Sequence, residues 1–304
     1  ALLRQWWRVA YAAEHQFRVD VAAMRREEGL LFGHAWLEDD HNERGNRVAA
    51  RKSLVRIRLD TLSSGDTSAW KMGGQAGVAP LATDLSTSYA WFGLVKRGEN
   101  QPDKTAIKAD NREGMRLLRI ACPEQHEVRI VQIIRLIHAF GQIGSRSRGG
   151  WGSFAVHEAQ EPNMQELIRL ARPIAQCLEH DWAMSFARDP RGLCVWRGRA
   201  SYPTWDRAMR ALAAERRTVR TALKDAVSDL RPALGFAGSG RMPSPLRWKV
   251  LPNRQGQLTI RVFAMPHKLP KDSGKSMNPT DLMEAWIKTC AKLDASQLLT
   301  RVTE

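Results

Sequence analysis

The stretch EQHEVRIVQIIRLIHAFGQIGSRSRGGWGS, Glu124 to Ser153, decides how this 304-residue chain is read. Val128, Ile130, Val131, Ile133, Ile134, Leu136 and Ile137 are apolar nearly all round a helix, so a helix from about Glu124 to Phe140 is expected to be deeply buried. Its polar residues, Arg129, Gln132, Arg135 and His138, recur every third position and trace one narrow stripe toward the loop that follows. Beyond that loop, Phe154 to His157 reads as a strand.

Working backwards, Leu54 to Asp60 alternates Val55, Ile57 and Leu59 with Arg56 and Arg58, the pattern of a half-buried strand with a basic face. Tyr89 to Val95 and Met115 to Cys122 read as further strands, and the Gly-, Ser- and Thr-rich segment from Ser63 to Ser88 as a long loop. At the start, Leu3, Trp6, Trp7 and Ala10 recur at helical spacing, and a second helix from Val19 to Leu31 stops at Gly33. The order helix, strand, strand, helix, strand is the ferredoxin-like order without its first strand, which is expected upstream of Ala1. The fold class is therefore α+β with antiparallel sheets, in two domains spanning 1–158 and 159–304, the first of them ferredoxin-like in its order. The second half offers a helix from Met164 to His180, a short strand from Leu193 to Arg197 and a long helix from Trp205 to Leu230. Met209, Leu212, Val219, Leu223, Val227 and Leu230 of that helix are set inward. A hairpin of Leu246–Leu251 and Leu258–Met265 follows, then a final helix from Thr280 to Leu293, capped by Thr280 or its neighbour.

The chain carries 47 Lys and Arg against 32 Asp and Glu, a net charge of +15, which points to a polyanionic partner. Phosphates in a row make nucleic acid the leading candidate, because each one neutralised releases counterions. Cys122, Cys177, Cys194 and Cys290 form no CxxC pair, so neither a disulfide framework nor a structural metal is expected, and a reducing cytoplasm fits. Cys177 and His180 form a lone C-x-x-H, read as a buried thiol near a surface histidine. No apolar run approaches the roughly 20 residues that span a bilayer, so no membrane partner is expected, and no cofactor is called for.

The loop GQIGSRSRGGWGS carries the most chemistry. Gly141, Gly144, Gly149, Gly150 and Gly152 permit backbone angles in which successive amides turn toward one concavity and cradle phosphate oxygens. Ser145 and Ser147 flank Arg146 and Arg148, whose extended-chain separation of roughly 7 Å is near the phosphate repeat of an RNA strand. Trp151, among small residues, can stack on a splayed base. Arg4 and Arg8, one helical turn apart at about 6 Å, match consecutive phosphates too, and a solvated helix face explains them equally well. A Walker motif is excluded, since no Gly-Lys-Ser/Thr follows.

LRQWWR from Leu3, LFG at Leu31 to Gly33, IGSRSRGGWGS from Ile143 and RMPSPL at Arg241 to Leu246 together resemble the RAMP superfamily. Within it they resemble the first-named subunits of Cmr, or type III-B, CRISPR effector complexes, over roughly Leu2 to Val250. The resemblance implies two ferredoxin-like domains and a non-catalytic subunit of an antiviral ribonucleoprotein. It also implies contacts with the 3′ region of crRNA, with target RNA and with other subunits of the complex. The chain departs from that pattern where Gly149 stands in place of a further basic residue.

A metal-free RNase of related fold needs a histidine base, and His15 and His138 are the candidates so placed; both are read as structural. Asp39, Asp40 and Glu43 around His41 could hold a metal, but the polar loop Glu38 to Asn46 reads as a solvated turn. The expectation is binding without cleavage; a RAMP endoribonuclease processing CRISPR transcripts is the alternative.

Overall fold

The computed structural model describes residues 1–35, 37–60, 117–144, 146–237, 240–271 and 275–303. The expected strand at Tyr89–Val95 and the loop at Ser63–Ser88 lie outside them, as does Ser145. The described residues gather into two units, one of 1–35, 37–60, 117–139 and 156–163, the other of 140–144, 146–155, 164–237, 240–271 and 275–303.

In the first unit, helix α1 (Leu2–Glu14) buries both Trp6 and Trp7 with Val9 and Ala10. Helix α2 (Val21–Phe32) starts on Asp20, whose carboxylate accepts the amides of Ala22 and Ala23, and stops at Gly33 with φ +80°. Only glycine suits that turn, because a Cβ there would press on the Arg51 carbonyl at 2.7 Å. Strands β1 (Arg56–Leu59) and β2 (Leu118–Ala121) pair antiparallel, Ile57 opposite Ile120 and Arg58 opposite Arg119. Ile57 and Leu59 are exposed on this ribbon, so the expectation of a half-buried strand does not hold.

Helix α3 (Glu127–Phe140) also differs from the reading of deep burial all round. Ile130, Ile133, Leu136 and Ile137 face the core, while Val128 is 84% exposed and Val131 half out. Its polar stripe points to structural partners instead of the following loop. Arg129 pairs with Glu14 and lies 5.9 Å over Trp7, Arg135 donates to the Glu161 carbonyl at 3.1 Å, and His138 Nδ1 accepts the Val156 amide at 3.0 Å. Phe154 to His157 forms no strand: the chain folds back at Ser153, which bridges to Gln142. The ferredoxin-like order is thus not assembled by the described residues of this unit.

The second unit has strands β3 (Ala171–Pro173), β4 (Phe186–Asp189) and β5 (Gly192–Leu193) in a small sheet, β3 parallel to β4. Short helices α4 (Met164–Arg169) and α5 (Ile174–Cys177) flank β3. They replace the single helix expected from Met164 to His180, because Pro173 offers no amide to continue one. The main sheet comprises β6 (Val195–Gly198), β7 (Leu246–Pro252), β8 (Leu258–Ala264) and β9 (Leu299–Arg301), in spatial order β7-β8-β6-β9 and wholly antiparallel. Helix α6 (Trp205–Thr221) joins β6 to β7 and helix α7 (Pro279–Asp294) joins β8 to β9, giving β-α-β-β-α-β.

Register places Trp196, Val262 and Trp248 side by side on the face that packs with Met209, Leu212 and Trp286 in one core. On the opposite face Arg197, Arg261 and Lys249 form a cross-strand row of like charge. Helix α6 ends nine residues before the expected Leu230: the Asp225 carboxylate accepts the amides of Val227 and Ser228 in a turn, leaving Val227 exposed and not inward. The cap of α7 is Asn278, not Thr280 or its immediate neighbour, and Pro279 follows it. Among the described residues no helix is long and apolar enough to cross a membrane.

Candidate nucleic-acid interface

The glycine-rich loop is fastened to the edge strand β7. The Gly152 carbonyl accepts the Ile143 amide at 3.0 Å, and Gly152, at φ +62°, approaches Ile143 so closely that any Cβ would overlap its carbonyl. Gly150, at φ +98°, lies against Leu212 and Met209 of α6, where a Cβ would sit 2.8 Å from a Leu212 methyl. The Arg148 carbonyl accepts the Trp248 amide at 3.0 Å, so Gly149 runs beside Trp248 as a parallel bridge. Ser153 Oγ donates to the Gly150 carbonyl at 2.6 Å and accepts the Val250 amide at 3.0 Å, while Gln142 donates to the Trp248 carbonyl. Lys249, fully buried, donates to the Gly141 carbonyl at 2.6 Å and lies 5.0 Å over the Phe154 ring.

This geometry revises the expected amide cradle. Gly149 donates to the Arg146 carbonyl at 2.8 Å and Gly150 to that of Ser147 at 3.2 Å, so with Ile143 three loop amides are committed to the loop itself. Gly144, at φ +91°, stands in open space, and Arg146, at φ +57°, is exposed beside it. Outward chemistry at this loop therefore belongs to cations more than to amides. Trp151 is half-buried against the core, edge-on to Trp205 at 6.5 Å between centroids.

Arg148 turns inward. Its guanidinium donates to the Pro243 and Ser244 carbonyls at 3.0 and 3.1 Å, so the loop and the RMPSPL segment, some 95 residues apart, meet at one place. Burial pushes the Arg148 pKa down, and burial followed by repulsion from Arg148 pushes that of Arg247 well down. His267, nine-tenths buried, is likewise lowered by burial, with Arg148 and Arg247 adding to the effect. Helix α6 brings Arg216 and Arg220 to the same region, where they line a small niche with Ser244, Leu246 and Trp248. Arg216, Arg220, Arg247 and Lys249 were not read as site residues. The alternation Arg247-Trp248-Lys249 carries a strand signal that could have found two of them; nothing local marks the arginines of α6.

Arg4 and Arg8 belong to the other unit and hold its helices together. Both bond to Glu28, which is 1% exposed, and Arg4 also donates to the Phe32 and Gly33 carbonyls at 2.8 and 2.6 Å, where α2 leaves them unsatisfied. Burial pushes the Glu28 carboxyl up, but the bonds from Arg8 and Arg4 outweigh it and hold its pKa below the ordinary value.

The acidic loop is not simply a solvated turn either. Asp40 is buried, takes both prongs of Arg51 at 2.8 Å and faces His34 Nε2 at 2.7 Å; Arg51 foremost holds its carboxyl well below the usual range. Asp39 and Glu43 stay exposed. Elsewhere, Cys194 and Cys290 bring their sulfurs to 3.7 Å in the core, and with Asp189 they could supply three ligands to a metal. Arg301 already takes both Asp189 oxygens, at 2.6 and 2.9 Å, and its charge opposes a cation there.

No family model and no curated protein matches the chain. A solved structure does. The crystal structure of Cmr1 from Pyrococcus furiosus, in its apo form, aligns with a TM-score of 0.44 and 17% identity, covering 92% of this chain and 82% of that one.

Proposed function

We propose that this chain is a non-catalytic RNA-binding subunit of a type III CRISPR ribonucleoprotein, a RAMP protein of two ferredoxin-like units. In that role it contacts the 3′ region of the crRNA and the target RNA, alongside other subunits. The observation that carries the reading is that Arg216 and Arg220 of α6 line a niche with Ser244, whose carbonyl Arg148 holds, where the loop bearing the exposed Arg146 docks on the start of β7. Cations at the edge of a folded unit match the charge of a phosphodiester backbone, whose binding releases counterions. Two of the stretches that resemble RAMP proteins, the glycine-rich loop and RMPSPL, touch through Arg148.

The histidines favour binding over cleavage. His138 Nδ1 is engaged by the Val156 amide, and His15 stacks on Tyr11 at 3.9 Å with Nδ1 2.9 Å from the Tyr11 carbonyl. A labelled single-stranded RNA incubated with the protein and Mg²⁺ should stay full length. Its affinity should fall steeply with salt, by about 0.7 log units per log unit of salt for each phosphate held, and Arg146→Gln should flatten that slope. Rapid shortening of the RNA that His138→Ala or Asp39→Ala abolishes would overturn the reading in favour of an endoribonuclease. A flat salt response would leave only an assembly role.

A further inference from the structure

Gly149 lies where the end of a helix side chain reaches the loop. Unlike Gly144, Gly150 and Gly152 it has no left-handed backbone angle, so its φ would accept any side chain. A Cβ on Gly149 would meet the end of the Arg216 side chain, with Cζ 3.1 Å away and Nη1 nearer still, so a side chain at 149 and the Arg216 guanidinium compete for one place and the flexible arginine must give way. The guanidinium of a helix residue thus occupies the position from which a loop side chain at 149 would project. One turn further along the same helix face, Arg220 joins Arg216 in lining the niche with Ser244 and Trp248. Arg148 is fastened to Ser244 on the neighbouring segment, and the Arg148 carbonyl holds Trp248.

We infer that Arg216, with Arg220, is a phosphate-binding cation of the RNA site, and that Gly149 is side-chain-free so that α6 supplies the charge the loop lacks there. The inference rests on the loop reading above and extends it from a single loop to a composite site of loop and helix. Arg216 reaches the loop through its own length, so the charge stands on a rigid helix and only the opening belongs to the loop.

The test moves the charge from helix to loop. Affinity for a labelled 20-nucleotide oligouridine is measured against salt for the wild type, Arg216→Gln, Arg146→Gln and the double variant Gly149→Lys/Arg216→Gln. Arg216→Gln should bind about three- to tenfold more weakly and lose about 0.7 from the salt slope, the share of one phosphate on a single strand. In the double variant the cleared space admits the lysine, and affinity and slope should both return toward wild type. Wild-type binding by Arg216→Gln, with Arg146→Gln still weakened, would sink the role of Arg216 and leave the loop reading standing. No loss in either single variant would sink both. A loss that Gly149→Lys leaves unrestored would show that helix and loop positions do not serve one phosphate. If Arg216→Gln fails to melt cooperatively, Arg220→Gln is read in its place, and an unchanged slope overturns the inference.

Discussion

Glu28 shows how a pattern legible in sequence acquires a different use in three dimensions. The spacing of Arg4 and Arg8 was plain, and one face of α1 does carry both; their partner stands 20 to 24 residues away on α2, where no local pattern announces it. Replacing Glu28 by alanine leaves two guanidinium groups, those of Arg4 and Arg8, without the carboxylate they share. It should cost about 1.5–3 kcal/mol, the range for hydrogen bonds to charged groups, read as a lower denaturant midpoint at constant m. Because the folded carboxyl is held below its ordinary value, its contribution is complete above the unfolded pKa, about 4.3 for glutamate, and drains as pH falls toward the folded one. Glu28→Gln should therefore lose part of the wild type's destabilisation on acidification below about pH 4; an identical acid profile would contradict this.

Elements were legible where they are long and periodic, and illegible where a neighbour decides. Helix α3 was found within three residues of its start, yet its apolar residues do not say which face is covered, since covering depends on packing that the helix does not encode. Val128→Ser should then change stability by no more than about 0.5 kcal/mol, while Ile133→Ala, at a fully buried position, should cost about 2–4 kcal/mol. Equal losses in chemical denaturation would mean the exposed face is covered in solution. The loop allows a similar contrast between glycines of like backbone and unlike room. Gly144→Ala meets open space and should cost about 1 kcal/mol for its left-handed angle. Gly152→Ala must push Ile143 aside, undocking the loop from β7, and should cost about 3 kcal/mol or more together with RNA affinity. Phe154 to His157 was misread as a strand for a related reason: the loop closes on itself at Ser153, and the segment has no strand beside it among the described residues.

At the scale of the chain, the β7–β8 hairpin and the helices α6 and α7 could be read directly, because alternation and helical spacing each persist there for two turns or more. Strand β9, at three residues, is too short to show a period, so the β-α-β-β-α-β order of the second unit emerged only with the sheet. Net charge indicated a polyanion without saying where it binds. Arg216 and Arg217 are neighbours on α6, yet it is Arg216, with Arg220 one turn on, that lines the niche beside the loop. The difference of one residue is a rotation of about 100° round the helix, which composition cannot resolve.

The way the loop is held has a consequence for how freely this region can diverge. Arg148, Gln142 and Lys249 all deliver their protons to peptide oxygens, those of Pro243, Ser244, Trp248 and Gly141. Every amino acid brings such an oxygen, so the receiving side can exchange side chains without losing its acceptors, and tolerance is confined to that side. A library randomised at 243 and 244 should retain far more docked members than one randomised at 142 and 148.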